Sequence, residues 1–221
     1  MVDRIAEIAR ALHPLDAPPA AAWNHANIAA WIGTGRRKPA AVLLGIRDGR
    51  EPGVVFTLRR SDLPEHPGEV SLPGGRRDAE DADALATALR ESREEVGLAA
   101  RDVTPLGLLD PLETISGFVV TPVVARIAPD ARLVAAPDEV ERVFEVPLDF
   151  LLNPRHLRLQ TLTVRSGDHR LYEYSDIAPR IWGVTADVFV NLLMRMGRLS
   201  RECALASHTS TSAAHRAEAD T

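Results

Sequence analysis

One cysteine, Cys203, is all the chain carries in 221 residues. That rules out an internal disulfide framework and a zinc site built from several cysteines, and it suits a reducing cytosol, so the expected location is cytoplasmic. The seven histidines are scattered without the short spacings that ligate zinc, and each is read as an ordinary surface or structural residue. No run approaches the ~20 consecutive apolar residues that a membrane helix needs. The opening Met1-Val2-Asp3-Arg4-Ile5 lacks the continuous apolar stretch of a secretory signal. There is no basic excess either: the formal net charge is −5, which disfavours a general nucleic-acid surface. The expectation is a soluble, intracellular protein with no membrane or nucleic-acid partner. A homodimer is compatible with the sequence, which does not fix the oligomeric state.

Hydrophobic residues at 45% and charged residues at 26% are enough for one sizeable domain. Ile5, Ile8, Ala9 and Leu12 predict a short amphipathic helix over 3–12. Trp23, Ile28, Trp31 and Ile32 follow a Pro/Ala-rich stretch and read as packing anchors. Ala40–Ile46 and Val54–Leu58 read as an antiparallel pair around Asp48-Gly49. Ser61–Gly75 holds three prolines and three glycines, so a loop is expected, extended around Val70–Leu72. Ala84–Val96 reads as a helix stopped by Gly97. Strands are expected over Val103–Leu109, Phe118–Ile127 and Val143–Val146, with Asp110–Gly117 a polar loop over a cleft. A helix over Leu148–Leu152, a hairpin of His156–Val164 with His169–Tyr174, and a helix over Thr185–Met196 complete the pattern. The organisation is a single domain over 1–199 with an N-terminal helical extension, and 200–221 is expected to be disordered. Strands and helices interleave without regular βαβ alternation, so the fold class is α/β (α+β), a mixed sheet between helices.

The chemistry concentrates in Leu72-Pro73-Gly74-Gly75 and Arg90-Glu91-Ser92-Arg93-Glu94-Glu95-Val96-Gly97-Leu98. At ~100° per residue, Leu85, Leu89, Ser92 and Val96 share a stripe, and Glu91, Glu94 and Glu95 are expected on nearly the opposite face. Like charges at this spacing cost an isolated helix roughly 0.2–0.5 kcal/mol per pair, a cost that a bound divalent cation would reverse. Oxygen-only ligands point to Mg²⁺ or Mn²⁺. The plain alternative is a solvated charged face.

This segment resembles the signature of the Nudix hydrolases: Gly, five residues, Glu, seven residues, then Arg-Glu-apolar-x-Glu-Glu-x-Gly-apolar. The box spans about 74–98, with Gly75 opening it, Arg90-Glu91 and Glu94-Glu95 forming its acidic core, and Gly97-Leu98 closing it. Asp81 stands in place of the first Glu, eight residues rather than seven precede Arg90, and Ser92 replaces an apolar residue. The resemblance implies a Nudix fold, a mixed sheet sandwiched between helices, and hydrolysis of a pyrophosphate bond. It implies Glu91 and Glu95 as principal metal ligands and Glu94 as a further or water-mediated one. Glu94 and Glu95 are carried as catalytic residues, and Gly74 and Gly75 as the turn that brings backbone close to substrate. Arg90 is expected to pair with Glu94, and Asp81 to cap the helix. Glu139 is the candidate general base, with an ordinary exposed loop glutamate as the alternative, and Glu113 is a weaker candidate.

Thr57-Leu58-Arg59 together with His66–Gly75 is similar to the extended motif of the coenzyme A diphosphatase branch, spaced without a gap. Stretches at Ser116–Val124, Val143–Leu148 and Ile181–Ala186 are also similar to that branch. This implies cleavage of coenzyme A into 3′,5′-ADP and 4′-phosphopantetheine, with Arg59, Arg60, Gly74, Gly75 and Arg76 binding substrate and Arg77 a further phosphate contact; a solvated surface role is the alternative for Arg76 and Arg77. Arg60 stands at a Ser/Ala position, Pro64 replaces an Arg and Leu72 replaces a Phe. The alternatives are hydrolysis of another nucleoside diphosphate derivative, such as ADP-ribose or NADH, and a catalytically silent nucleotide-sensing module.

Overall fold

Apolar runs long enough to be buried on both faces set the centre of the molecule. In the computed structural model, which describes residues 3–29, 32, 35–164 and 167–204, these runs become paired strands with a helix on either side. The order begins α1 (Arg4–Ala9), α2 (His25–Ile28), β1 (Lys38–Arg47), β2 (Gly53–Arg59), β3 (Val70–Ser71), β4 (Gly74–Arg76) and α3 (Ala84–Val96). It continues with β5 (Val103–Leu108), β6 (Leu112–Glu113), β7 (Phe118–Ile127), β8 (Val140–Pro147) and α4 (Leu148–Leu151). The last elements are β9 (Leu157–Val164), β10 (Gly167–Tyr174), β11 (Ile181–Trp182), α5 (Gly183–Arg195) and α6 (Arg201–Ala204).

β1 and β7 run parallel from Lys38–Phe118 to Arg47–Ile127, while β2 and β5 flank them antiparallel in the order β3-β2-β1-β7-β5. Alternation along each strand splits its side chains between two cores. Leu43, Val55, Val123 and Ala125 pack with Ala88 and Val96 of α3; Leu44, Val54, Phe56 and Val124 pack with Phe189 and Leu192 of α5. The mixed sheet between helices is therefore as the sequence implied.

β9, β10 and β11 form a second, three-stranded sheet that covers the far side of α5. The sequence indicated the hairpin but not this separate layer. Tyr174 and Phe189 meet edge to face at 6.0 Å, and Phe56 and Phe189 at 5.9 Å, so aromatic contacts link the two sheets through α5.

α3 keeps the bounds predicted for it. Asp83 caps it, accepting from Ala86 N at 2.8 Å, and Gly97 ends it at φ 67°. The expected cap, Asp81, is not the cap. α1 is shorter than 3–12 because the helix ends at Arg10. The glycine pair, expected in a loop, forms β4 against β1, with Gly74 opposite Val42 and Gly75 opposite Ala41. The disorder expected from Ser200 meets a short helix, α6, whose Ala204 is buried; residues 205–221 and Trp31 lie outside the described residues.

Candidate functional site

α3 departs most from its sequence reading in the way it faces. Its buried residues are Thr87, Ala88, Ser92, Glu95 and Val96, while Leu85 and Leu89 are only half-buried. Glu95 thus lies within the packing face, 6% exposed, rather than opposite it. Glu91 is half-buried and Glu94 is turned to solvent. Helical geometry places Ala88, Glu91 and Glu95 at i, i+3 and i+7, one row against β4.

Glycine is what allows that row to close on the strand. Gly74, at φ 156°, donates its N–H to Glu95 at 3.3 Å, and a Cβ there would meet the Ala41 carbonyl at 2.4 Å. A Cβ at Gly75 would lie 2.6 Å from the Glu91 carboxylate. Two neighbouring glycines therefore seat two carboxylates side by side over the sheet.

Burial pushes the Glu95 carboxyl up to about 8, and the negative charges of Glu91 and Glu139 push the same way. The Gly74 N–H and the Arg59 guanidinium oppose the rise without cancelling it. Burial also raises Glu91, against the pull of Arg90. Two desolvated carboxylates with too little positive charge form a hard, oxygen-only donor set, which fits Mg²⁺ or Mn²⁺. Among the described residues, no three of His, Cys, Asp and Glu stand ready together as a metal cage. Glu91 and Glu95 are brought together; Glu94 instead accepts from Arg90 at 2.9 Å.

Arg90 organises the outer side of the site. It pairs with Asp81 at 3.0 Å, Glu91 at 3.0 Å and Glu94 at 2.9 Å, and donates to the Arg76 carbonyl at 2.9 Å. Asp81 is buried, held down to about 2 chiefly by Arg90, and also accepts from Asp78 N at 2.9 Å. The substitution of Asp for Glu in the box thus yields a clamp on Arg90. The Arg90–Glu94 pair was legible from spacing; the Asp81 clamp was not, because its partners stand nine positions apart and Asp81 precedes the helix.

The remaining candidates fall into two groups. Arg59 lies on the same face of β2 as Val55 and Thr57, its charge acting on Glu95 and its buried Nε without a hydrogen-bond partner. Glu139 is exposed on a loop tied to the end of α3, where Ala136 N donates to the Glu95 carbonyl at 2.8 Å. Arg76 is exposed on β4. In the second group the side chains are committed elsewhere. Arg60 grips Asp62 through two bonds of 2.8 and 2.6 Å and donates to the Pro137 carbonyl at 2.8 Å. Arg77 holds the carbonyls of Asp81 and Ala82. Glu113 pairs with His25 at 2.6 Å and its backbone with Asn24, which pins the 110–117 loop to the N-terminal segment.

Residues 36–163 match the NUDIX domain family model. The chain is 38% identical over 161 residues to the uncharacterized Nudix hydrolase NudL of Enterobacter sp. (strain 638), covering 73% of this chain and 84% of the relative. It is 38% identical over 160 residues to the protein of the same name in Escherichia coli (strain K12), covering 72% and 83%. Among solved structures, the Nudix hydrolase RenU of M. Smegmatis has a TM-score of 0.45 at 24% identity, over 52% of this chain and 74% of that one. The family match takes in β4, α3, Glu91 and Glu95, and the chain belongs to the Nudix family.

Proposed function

We propose that the protein hydrolyses the pyrophosphate bond of coenzyme A or an acyl derivative, with Mg²⁺ or Mn²⁺, releasing 3′,5′-ADP and 4′-phosphopantetheine or its acylated form. One observation carries this: the segment that resembles the coenzyme A branch is built into the acidic centre. The Thr57 and Ser71 hydroxyls bond at 2.8 Å across β2 and β3, Arg59 acts on Glu95, and Gly74 donates to Glu95.

Nudix proteins typically depend on divalent metal ions, and an ion held by Glu91 and Glu95 would supply Lewis acidity toward phosphate oxygens and a more acidic bound water. Glu91 and Glu95 must shed their protons to serve as ligands, so loading improves as pH rises. Among the described residues no carboxylate forms an ion pair with Arg59, and its guanidinium meets the anionic diphosphate. Gly74 and Gly75 expose backbone where a side chain would bar approach. Glu139 takes the proton from the attacking water and passes it to solvent, and Arg90 keeps Glu91 and Glu94 in place.

A second reading, hydrolysis of ADP-ribose or NADH, draws support from Pro64, which offers no cation, and from Arg60, which is spent on Asp62. A silent sensor is disfavoured because Glu91, Glu94 and Glu95 are all present.

Product analysis tests the proposal directly. Purified protein is incubated with coenzyme A, acetyl-coenzyme A, ADP-ribose and NADH in parallel, with Mg²⁺ or Mn²⁺. Release of 3′,5′-ADP at the highest kcat/KM of the set is expected, and coenzyme A turned over no better than the others would reject it. Glu139→Gln should lower kcat by roughly 10²-fold or more at saturating Mg²⁺ or Mn²⁺. An unchanged kcat would remove Glu139 from the mechanism.

A further inference from the structure

The acidic centre separates two surfaces of opposite charge. Beyond Glu95 lies an open cleft of ≈ 520 Å³ lined by Arg60, Ser61, Asp62, Pro137, Val140 and Glu141. It adjoins the centre through two backbone bonds, Arg60 N to the Glu139 carbonyl at 3.1 Å and Ala136 N to the Glu95 carbonyl at 2.8 Å. Its volume lies in the range of about 300–1,000 Å³ usual for small-molecule sites. Among the described residues that line it the one cation is Arg60, which is gripped by Asp62, and Asp138 and Glu141 add negative charge around it. Such a wall repels a phosphate and offers carbonyls, a hydroxyl and apolar contact to a neutral chain.

Beyond Glu91 the charge reverses. β4 runs antiparallel to β1 with Arg76 opposite Ala40, and Arg77 N donates to the Pro39 carbonyl at 3.0 Å. That pairing sets Arg76 and Arg77 beside the start of β1, where Arg36 and Lys38 are exposed. The carboxylates on this side are exposed Asp78 and Glu80 together with Asp81, Glu91 and Glu94; Arg90 pairs with the last three and lies 3.7 Å from Asp78, so these acids are drawn to Arg90 rather than to Arg36, Lys38, Arg76 or Arg77. Arg77 is held by neutral carbonyls, which leave its charge uncompensated. The contacts run in order from the cleft to Glu95, Gly74, Gly75, Glu91, Arg76 and the basic edge.

We propose that this asymmetry fixes the direction in which the substrate lies: the neutral, amide-bearing pantetheine arm enters the Arg60–Asp62 cleft, and the phosphorylated ribose lies along the basic edge of Arg36, Lys38 and Arg76. This deepens the coenzyme A proposal and rests on it. It makes Asp62 a specificity residue, since it neutralises the one arginine that would otherwise draw a phosphate into the cleft.

Calorimetric titration of each product, 3′,5′-ADP and 4′-phosphopantetheine, in the presence of Mg²⁺ tests the direction without needing turnover. The paired variant Arg36→Glu with Lys38→Glu should weaken 3′,5′-ADP by about tenfold and leave 4′-phosphopantetheine within about twofold. Ser61→Trp, at an exposed position in the cleft, should do the reverse. The opposite pattern, an equal effect of either variant on both products, no effect of either, or no binding of either product to the wild type would overturn the proposed direction. Coenzyme A hydrolysis is measured alongside. If products bind as stated but coenzyme A is not cleaved, the assigned reaction fails and the charge-directed orientation stands; if coenzyme A is cleaved but the variants strike the wrong product, the orientation fails alone.

Discussion

Glu95 and Asp110 are both carboxylates drawn out of water, yet their surroundings drive them in opposite directions. Burial alone would raise Asp110, but Asn191, His13 and Arg195 hold it below the ordinary range. Asn191 Nδ2 and Arg195 Nη1 each donate to it at 3.0 Å, and His13 Nε2 lies 2.8 Å away. Glu95 receives one backbone N–H at 3.3 Å and two like charges, and rises to about 8. The first arrangement is complete within the chain and ties the N-terminal segment to β5 and α5. The second is short of positive charge, and that shortage is the mark of a place built for something else to bind.

The sharpest way to break the comparison is to neutralise Glu95. Glu95→Gln should lower turnover by roughly 10²-fold or more, because the neutralisation of phosphate charge that depends on it is worth several kcal/mol. Stability should move the other way. A carboxyl whose folded pKa is raised from 4.5 to about 8 binds its proton more tightly when folded, so metal-free stability falls as pH climbs through that window. The loss at pH 8 is on the order of a few kcal/mol. Thermal unfolding of the wild type with chelator should therefore show a lower Tm at pH 8 than at pH 5. Mg²⁺ or Mn²⁺ should restore Tm at pH 8, and Glu95→Gln should remove most of the slope. A wild type with a flat profile, or one that no divalent ion stabilises, would mean that Glu95 is as self-sufficient as Asp110.

Asp110 gives the converse. Asp110→Ala leaves Arg195 and Asn191 without their shared, half-buried partner and should cost about 3 kcal/mol, in line with the loss of hydrogen bonds to a charged group. For a chain of this size that is ~6–12 °C in Tm. Turnover per folded molecule should hardly change. A large fall in kcat with Tm intact would move Asp110 from the framework into the site.

The sequence exposed local order well and direction poorly. Gly97, the apolar runs of β1 and β7 and the bounds of α3 are local signals, and each is met in the fold. The face of α3 was misread because Leu85 and Leu89 outweigh a glutamate on any hydrophobicity scale. Glu95 nevertheless sits inside the packing face, since Gly74 and Gly75 leave room there and the backbone supplies a donor. That decision is made by residues some twenty positions away, and the pairing of β4 with β1 by residues more than thirty positions apart, so no helical periodicity records it. The metal set written from spacing holds Glu91 and Glu95 together, while Glu94 is drawn off by Arg90. The cleft around Arg60 and Asp62 is likewise a product of the fold, assembled from segments some seventy-five residues apart.

Asp81 and Asp83 offer a smaller contrast of the same kind. Asp83 does a local task, capping α3 through one bond to Ala86 N. Asp83→Ala should cost about 1 kcal/mol, ~2–4 °C in Tm, with kcat/KM unchanged. Asp81 holds the guanidinium that in turn holds Glu91, Glu94 and the Arg76 carbonyl. Asp81→Asn keeps the shape but not the charge, so Arg90 is left to the glutamates and pulls Glu91 away from the row it shares with Glu95. Its signature should be weaker Mg²⁺ or Mn²⁺ binding, read from the metal concentration needed for half-maximal turnover, beside a lower Tm than that of Asp83→Ala, because the carboxylate neutralised is a buried one that Arg90 grips. If both variants change Tm alike and neither shifts the metal requirement, the Arg90 clamp is only a helix fastening, and the position of Glu91 is set by Gly75 alone.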